Sequence, residues 1–234
     1  MGMPHARTDF SQGWRSVSVM RRPKAERINL MVVDLYHGDV VTSFADAATS
    51  GIRGIIHKAT QGTRIADSAY GARRGNAADV GLLWGAYHFA TDEDVGAQVG
   101  HFLGVARPDP ATLVALDFEP HSNHTMRLSQ ARRFLVMVEQ KLGRKAVLYS
   151  GNLIKEQLGG KVDAFFGSHR LWLAQYGPLP KVQRSWKKPW LWQYSADGIG
   201  PGPHKVPGIP GANGQLDLNS YNGTPEQLAT EWAS

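Results

Sequence analysis

Leu113-Val114-Ala115-Leu116-Asp117-Phe118-Glu119 is an apolar run that ends on two acids. Side chains alternate along a strand, so residues i and i+2 project from the same face. Asp117 and Glu119 therefore share a face, roughly 6–7 Å apart at Cα. Phe118 turns the other way, into packing. Two carboxylates this close push each other's pKa values apart, so one stays ionised while the other keeps its proton near neutrality. Cleavage of a glycosidic bond uses that division: an acid protonates the leaving oxygen, and an anion stabilises the cationic centre. The same triplet also occurs at solvated strand ends and in salt-bridged pairs. Its weight depends on where the chain places it.

Working outward, similar runs recur, each ending in a polar or aromatic cluster. They are Ile28–Val33 before Asp34, Gly54–Ile56 before His57-Lys58, Leu82–Ala86 before Tyr87-His88, and Thr112–Leu116 before Asp117. Then follow Ala146–Leu148 before Tyr149, Leu171–Ala174 before Gln175-Tyr176, Trp190–Trp192 before Gln193-Tyr194, and Gln215-Leu216 before Asp217. Length and bounding residues make these eight strands. Helical patterns separate the early ones: Phe44–Ser50, Ala66–Asp79, Asp92–Leu103, Ser129–Leu142 stopped by Gly143, and Leu153–Leu158. Later links hold too much Gly and Pro for helices. A last helix is predicted over Pro225–Trp232, with Pro in its first turn. Alternating β and α units imply parallel strands, and eight of them imply closure. The predicted fold is an α/β, irregular TIM-like barrel of about five βα units followed by closing strands.

In such barrels the active site lies at the C-terminal ends of the strands. Asp34, Asp117, Glu119 and Asp217 fall there, with Tyr87, Tyr149, Tyr176, Trp192 and Tyr194. Carboxylates and aromatic faces together suit a sugar. Gln175 and His88 occupy strand ends as well and are further candidate substrate contacts, although His88 is equally a buried hydrogen-bonding residue. Trp172, Trp186 and Trp190 are assigned to core or rim. His57-Lys58 is expected to support a strand end or pair with an acid.

The 234 residues contain no cysteine, which excludes disulfides and thiolate metal sites. His121 and His124 match no standard zinc spacing, so neither a metal nor a cofactor is expected. The net charge of +6 draws polyanions, nucleic acid or an anionic wall among them. The basic residues are scattered, and no nucleic-acid partner is predicted. No stretch approaches the roughly 18 apolar residues of a membrane span. Residues 1–27 lack the apolar core of a secretory signal, and the run after Arg21-Arg22 is too short for a twin-arginine signal. They read as a polar, disordered tail preceding a single catalytic domain over 28–234. A monomer is expected.

Val33-Asp34, Ile55-Ile56-His57-Lys58-Ala59-Thr60-Gln61-Gly62, Gly85-Ala86-Tyr87-His88-Phe89 and Ala115-Leu116-Asp117-Phe118-Glu119 resemble, in order, the glycoside hydrolase family 25 lysozymes, the Chalaropsis-type muramidases. So do Val147-Leu148-Tyr149-Ser150-Gly151, Leu171-Trp172-Leu173-Ala174-Gln175-Tyr176, Leu191-Trp192-Gln193-Tyr194-Ser195 and Asp217-Leu218-Asn219. The likeness covers about residues 28–233. It implies hydrolysis of the β-1,4 bond between N-acetylmuramic acid and N-acetylglucosamine in peptidoglycan. It makes Glu119 the general acid. Asp117 becomes the carboxylate that steadies the acetamido group or attacks the sugar, with Asp34 and Asp217 assisting and Tyr87 and Tyr149 near the reacting ring. It also implies a protein made in the cytoplasm that reaches the wall as a phage or prophage endolysin or by export. Two features depart from the family: Gln61 stands where many members have Glu, and Asp34-Leu35-Tyr36-His37-Gly38 replaces the Asp-x-Ser-x-x-Gln form. A non-catalytic wall-binding barrel and a chitinase-like hydrolase are the alternative readings.

Overall fold

A computed structural model describes residues 28–234, and the tail expected over 1–27 lies outside the described residues. The chain runs β1 (Leu30–Leu35), α1 (Phe44–Thr49), β2 (Gly54–Gln61), β3 (Ile65–Ala66), α2 (Tyr70–Ala78), β4 (Leu83–Phe89) and α3 (Val95–Ala106). It continues β5 (Leu113–Asp117), α4 (Leu128–Leu142), β6 (Val147–Ser150), α5 (Asn152–Leu158), α6 (Ala164–Gly167) and β7 (Leu171–Ala174). It closes with β8 (Leu191–Ser195), β9 (Asp217–Tyr221) and α7 (Pro225–Glu231).

Eight strands close into a barrel in the order β1-β9-β8-β7-β6-β5-β4-β2, sealed by pairing of β1 with β2. Six successive pairings are parallel. Strand β9 is antiparallel to both neighbours. The barrel with five leading βα units is the architecture expected from the sequence. The eighth strand, however, is not Gln215-Leu216 ending at Asp217: it begins at Asp217. Because β9 runs backwards, its first residue lies at the rim where the parallel strands end, so Asp217 sits directly opposite Asp34.

Two more differences are local. The segment expected to open the second helix at Ala66 folds back on β2 as β3, pairing Gln61 with Ile65. Asp67 holds this turn by accepting from the Ala69 and His37 backbone N–H groups. The helix then starts at Tyr70. The short α6 was not expected; the Asp163 side chain caps it by accepting from Phe165 and Phe166 N–H.

Two apolar layers follow from strand alternation. One face of each strand packs outward against the helices, through residues such as Val33, Leu116, Phe118, Phe134 and Leu173. The other fills the barrel with Val32, Ile56, Leu113, Ala115, Val147 and Trp172, and α7 brings Leu228 and Trp232 to this layer. The polar residues of interest continue these inward rows toward the C-terminal rim. The long β8–β9 loop crosses that rim. Gly208 O accepts from the N–H groups of Thr42 (2.8 Å) and Ser43 (3.0 Å), and the Asp39 carboxylate accepts from Ala212 N–H (3.0 Å).

Candidate active site

Asp34, Asp117, Glu119 and Asp217 converge on a cavity of about 150 Å³ at the rim. Asp117 is the last residue of β5, flanked by Phe89 of β4 and Tyr149 of β6. The strand direction persists one residue further, because Phe118 N–H donates to Tyr149 O (2.9 Å) and Ser150 Oγ donates to Phe118 O (2.6 Å). Phe118 is fully buried on the outer face. Glu119 consequently returns to the cavity beside Asp117, as alternation requires.

Lys58, Tyr87, Phe89, Tyr149 and Trp172 complete the lining. Lys58 is the one cation among these residues. Its Nζ donates to Gln61 Oε1 at 2.6 Å and lies 4.9 Å from the Phe89 ring centroid. Trp172 is set edge-on to Tyr149, with centroids 4.5 Å apart, and forms part of the cavity wall rather than core or rim alone.

The carboxylates sit in different surroundings. Asp34 Oδ1 accepts from Asn219 Nδ2 (2.6 Å), and both Asp34 oxygens accept from Gln193 Nε2 (3.1 and 3.0 Å). Gln193 Nε2 also reaches Asp217 Oδ2 at 3.2 Å. Burial pushes Asp34 up to about 7 against these donors. Asp217 is pushed up to about 9, first by burial and then by the charge of Asp34. Asp117 is driven well above the carboxylate range by burial and by Glu119, with Lys58 opposing. Its Oδ1 is buried without a protein hydrogen-bond partner. Glu119 is raised by burial too, again against Lys58. The sequence suggested one protonated acid, Glu119, beside one anion. These environments instead raise both, burial being the first cause at each.

The remaining candidates divide by strand phase. Tyr87 and Tyr149 line the cavity. Trp192 and Tyr194 do not: both belong to the outer layer, and Trp192 Nε1 donates to Gln175 O at 2.7 Å. The residue between them, Gln193, faces inward. Rings at 192 and 194 would have to share the barrel with Trp172, Tyr149 and Tyr87, which already occupy it. His88 also faces outward, bonded to Thr60 Oγ1 (2.8 Å) and Gln98 Oε1 (3.0 Å) and stacked on Phe134. Gln175 ties down the loop after β7, accepting from Lys155 Nζ and Lys181 N–H and donating to Leu179 O. His57 points outward under Arg73. His37 pairs with Asp67 at 3.0 Å, so the altered first-strand motif braces a loop. Among the described residues no group of three His, Asp or Glu side chains is placed to hold a metal ion.

Sequence reasoning named Tyr176 among the strand-end aromatics, and its Oη donates to Gln193 Oε1 at 3.3 Å; it expected Lys58 to support a strand end or pair with an acid, and it missed Gln193 and Asn219 as site residues. A signal for both was present: an amide inside an otherwise apolar run must find partners once buried, and Gln193 and Asn219 both stand in such runs.

A family model described as glycosyl hydrolases family 25 matches residues 33–203, which includes every site residue named above except Asp217 and Asn219. Lysozyme M1 of Streptomyces globisporus is 24% identical over 219 residues, covering 87% of this chain and 71% of that protein. The autolytic lysozyme of Clostridium acetobutylicum is 26% identical over 195 residues, 81% of this chain and 55% of its own length. The solved structure of a bacterial lysozyme from Streptomyces coelicolor superposes with a TM-score of 0.76 at 25% identity, over 89% of this chain and 99% of that one. A family 25 lysozyme from Aspergillus fumigatus shares the fold, with a TM-score of 0.72 at 23% identity, over 88% of this chain and 99% of the other.

Proposed function

The chain belongs to glycosyl hydrolases family 25 and is a glycoside hydrolase of peptidoglycan; on that premise we propose that it is a muramidase, cutting the β-1,4 bond between N-acetylmuramic acid and N-acetylglucosamine with retention through the substrate's own acetamido group. Its place of action is the cell wall. The observation that carries the mechanism is the buried, unpartnered Oδ1 of Asp117 beside Glu119.

An acetamido N–H is the donor that this oxygen lacks. Accepting it favours the charged form of Asp117. The carboxylate's negative charge then favours the protonated form of Glu119, its close neighbour. Binding of the sugar thus produces the division of roles that the sequence suggested. Glu119 gives its proton to the glycosidic oxygen as the bond from that oxygen to C1 breaks. The acetamido oxygen forms a bond to C1, and Asp117 steadies the N–H as positive charge spreads over the resulting ring. Glu119, now ionised, takes a proton from water as that water attacks C1. The acetamido group is restored and the configuration retained. Asp34 and Asp217 line the opposite wall, where negative charge on Asp34 stabilises the cationic centre. Tyr87, Tyr149 and Trp172 bound the space for the reacting ring.

The test is mass analysis of digested peptidoglycan. N-acetylmuramic acid should form the new reducing end, and Glu119→Gln should release none while melting no lower than the wild type. Wall binding without release by the wild-type protein, or lysis by Glu119→Gln equal to wild type, would refute the reading.

A further inference from the structure

We propose that Gln193 is a positioning residue that sets where the protons of the cleft lie: its amide N–H groups hold Asp34 as the anion, and its carbonyl takes the hydroxyl protons of Tyr149 and Tyr176, so Tyr149 meets the sugar as an acceptor. This rests on the muramidase reading.

The geometry leaves Gln193 one orientation. Nε2 contacts only carboxylate oxygens, two of Asp34 and one of Asp217. Oε1 accepts from Tyr149 Oη at 2.8 Å and from Tyr176 Oη at 3.3 Å. Reversal would set an amide oxygen against three carboxylate contacts. Each phenol has a single proton, and here both are spent on Oε1. What remains of Tyr149 toward the cavity is lone pairs.

Asp34 is held by N–H donors alone. Besides Gln193 it receives Asn219 Nδ2, whose orientation is fixed in turn because Trp172 Nε1 donates to Asn219 Oδ1 at 2.6 Å. None of these donors can accept a proton, so a protonated Asp34 would find no partner among them. Its neighbours oppose the charge. Tyr87 of β4, Asp117 and Glu119 at the end of β5, Asp217 of β9 and Asp39 behind the first strand surround it, while among the described residues Lys58 of β2 is the one cation lining the cavity. Asn219 and Gln193 together therefore tip Asp34 toward ionisation near neutrality, and the stored proton falls to Asp217.

The full chain carrying Gln193→Met or Gln193→Glu tests this. The first keeps length and loses every hydrogen bond. The second keeps an acceptor for the tyrosines and replaces the amide donors with a carboxyl group. For both, kcat on purified peptidoglycan should fall on the order of 100-fold, with KM within about threefold of wild type. The acid limb of the kcat profile should move up by about one pH unit. Tyr149→Phe leaves the amide on Asp34 and should keep the wild-type limb. An unmoved limb in both Gln193 variants, whatever their rate, overturns the proposal, as does an equal limb shift in Tyr149→Phe. Should Gln193→Met not fold, Gln193→Glu decides alone. Titration of ¹³C-labelled aspartate carboxyls reads Asp34 without turnover. It should titrate near 7 in the wild type and about one pH unit higher in the variants. A wild-type protein that cut no peptidoglycan would refute the muramidase reading and leave this titration to judge Gln193 by itself.

Discussion

Replacing Asp217 with asparagine should stabilise the protein at neutral and alkaline pH while leaving its stability in acid unchanged. The reason is linkage. Asp217 is pushed from an ordinary 3.8 up to about 9 by burial and by Asp34. Between those pH values the folded state binds a proton that the unfolded state does not, so this group's contribution to stability falls as pH rises. The penalty begins near pH 4, grows through neutrality and levels off around 9. At pH 7, about 3 pH units above the ordinary value, a full 1.4 kcal/mol per pH unit sets a ceiling of about 4 kcal/mol. Water at the open rim and sharing of the proton with Asp34 reduce the expected gain to about 2 kcal/mol. Asparagine keeps the shape of the side chain, and its carbonyl can still accept the Gln193 N–H now donated to Asp217 Oδ2. Urea unfolding followed by tryptophan fluorescence at pH 4, 6 and 8 gives the comparison. The two proteins should coincide at pH 4 and separate steadily above it, with the variant the more stable. Parallel stability curves, or a variant weaker at pH 8, would refute the placement of the proton. Activity should fall in the same variant, since an acid that lowers stability here is retained for the chemistry.

Lys58→Met removes the cation that opposes burial at Asp117 and Glu119, so both acids should hold their protons to higher pH; the acid limb of kcat/KM should climb by about one pH unit, and an unshifted profile would exclude Lys58 from the electrostatics. Trp192→Phe should cost about 1 kcal/mol through the lost bond to Gln175 O yet leave kcat within about twofold, as chemical denaturation and wall-clearing rates would show; a large loss of kcat would return Trp192 to the cleft. Gly208→Ala should destabilise by several kcal/mol, on the order of a strained backbone plus a core clash. Gly208 has φ +75°, and an added Cβ would overlap the Ser43 carbonyl oxygen that backs the long rim loop. Wild-type melting of that variant would show the loop free to move.

Much of the barrel was legible because its signals are local. An apolar run bounded by turns gives the same strand whatever packs on it, and the five βα links carry their own periodicity and caps. Pro225 after Thr224 marked α7, where Thr224 caps Gln227 N–H. Strand ends were less legible. β2 runs on to Gln61 and β4 to Phe89, so polar residues taken for loop beginnings lie inside strands. Partners across the barrel satisfy the side chains of Gln193 and Asn219, and those partners are remote in sequence. Asn219 lies 185 residues from Asp34.

The acidic pair marks the same boundary. From Leu113 to Glu119 the chain alone determined that Asp117 and Glu119 share a face with Phe118 turned away, because alternation along a strand is a property of the backbone. Tertiary structure decided which face looked inward, and with it why Gln193 enters the cleft while Trp192 and Tyr194 do not. It also decided the protons. A pKa depends on burial and on charges brought near by folding, so only closure of the barrel could gather Asp34, Asp217 and Lys58 around the pair and raise both carboxyls.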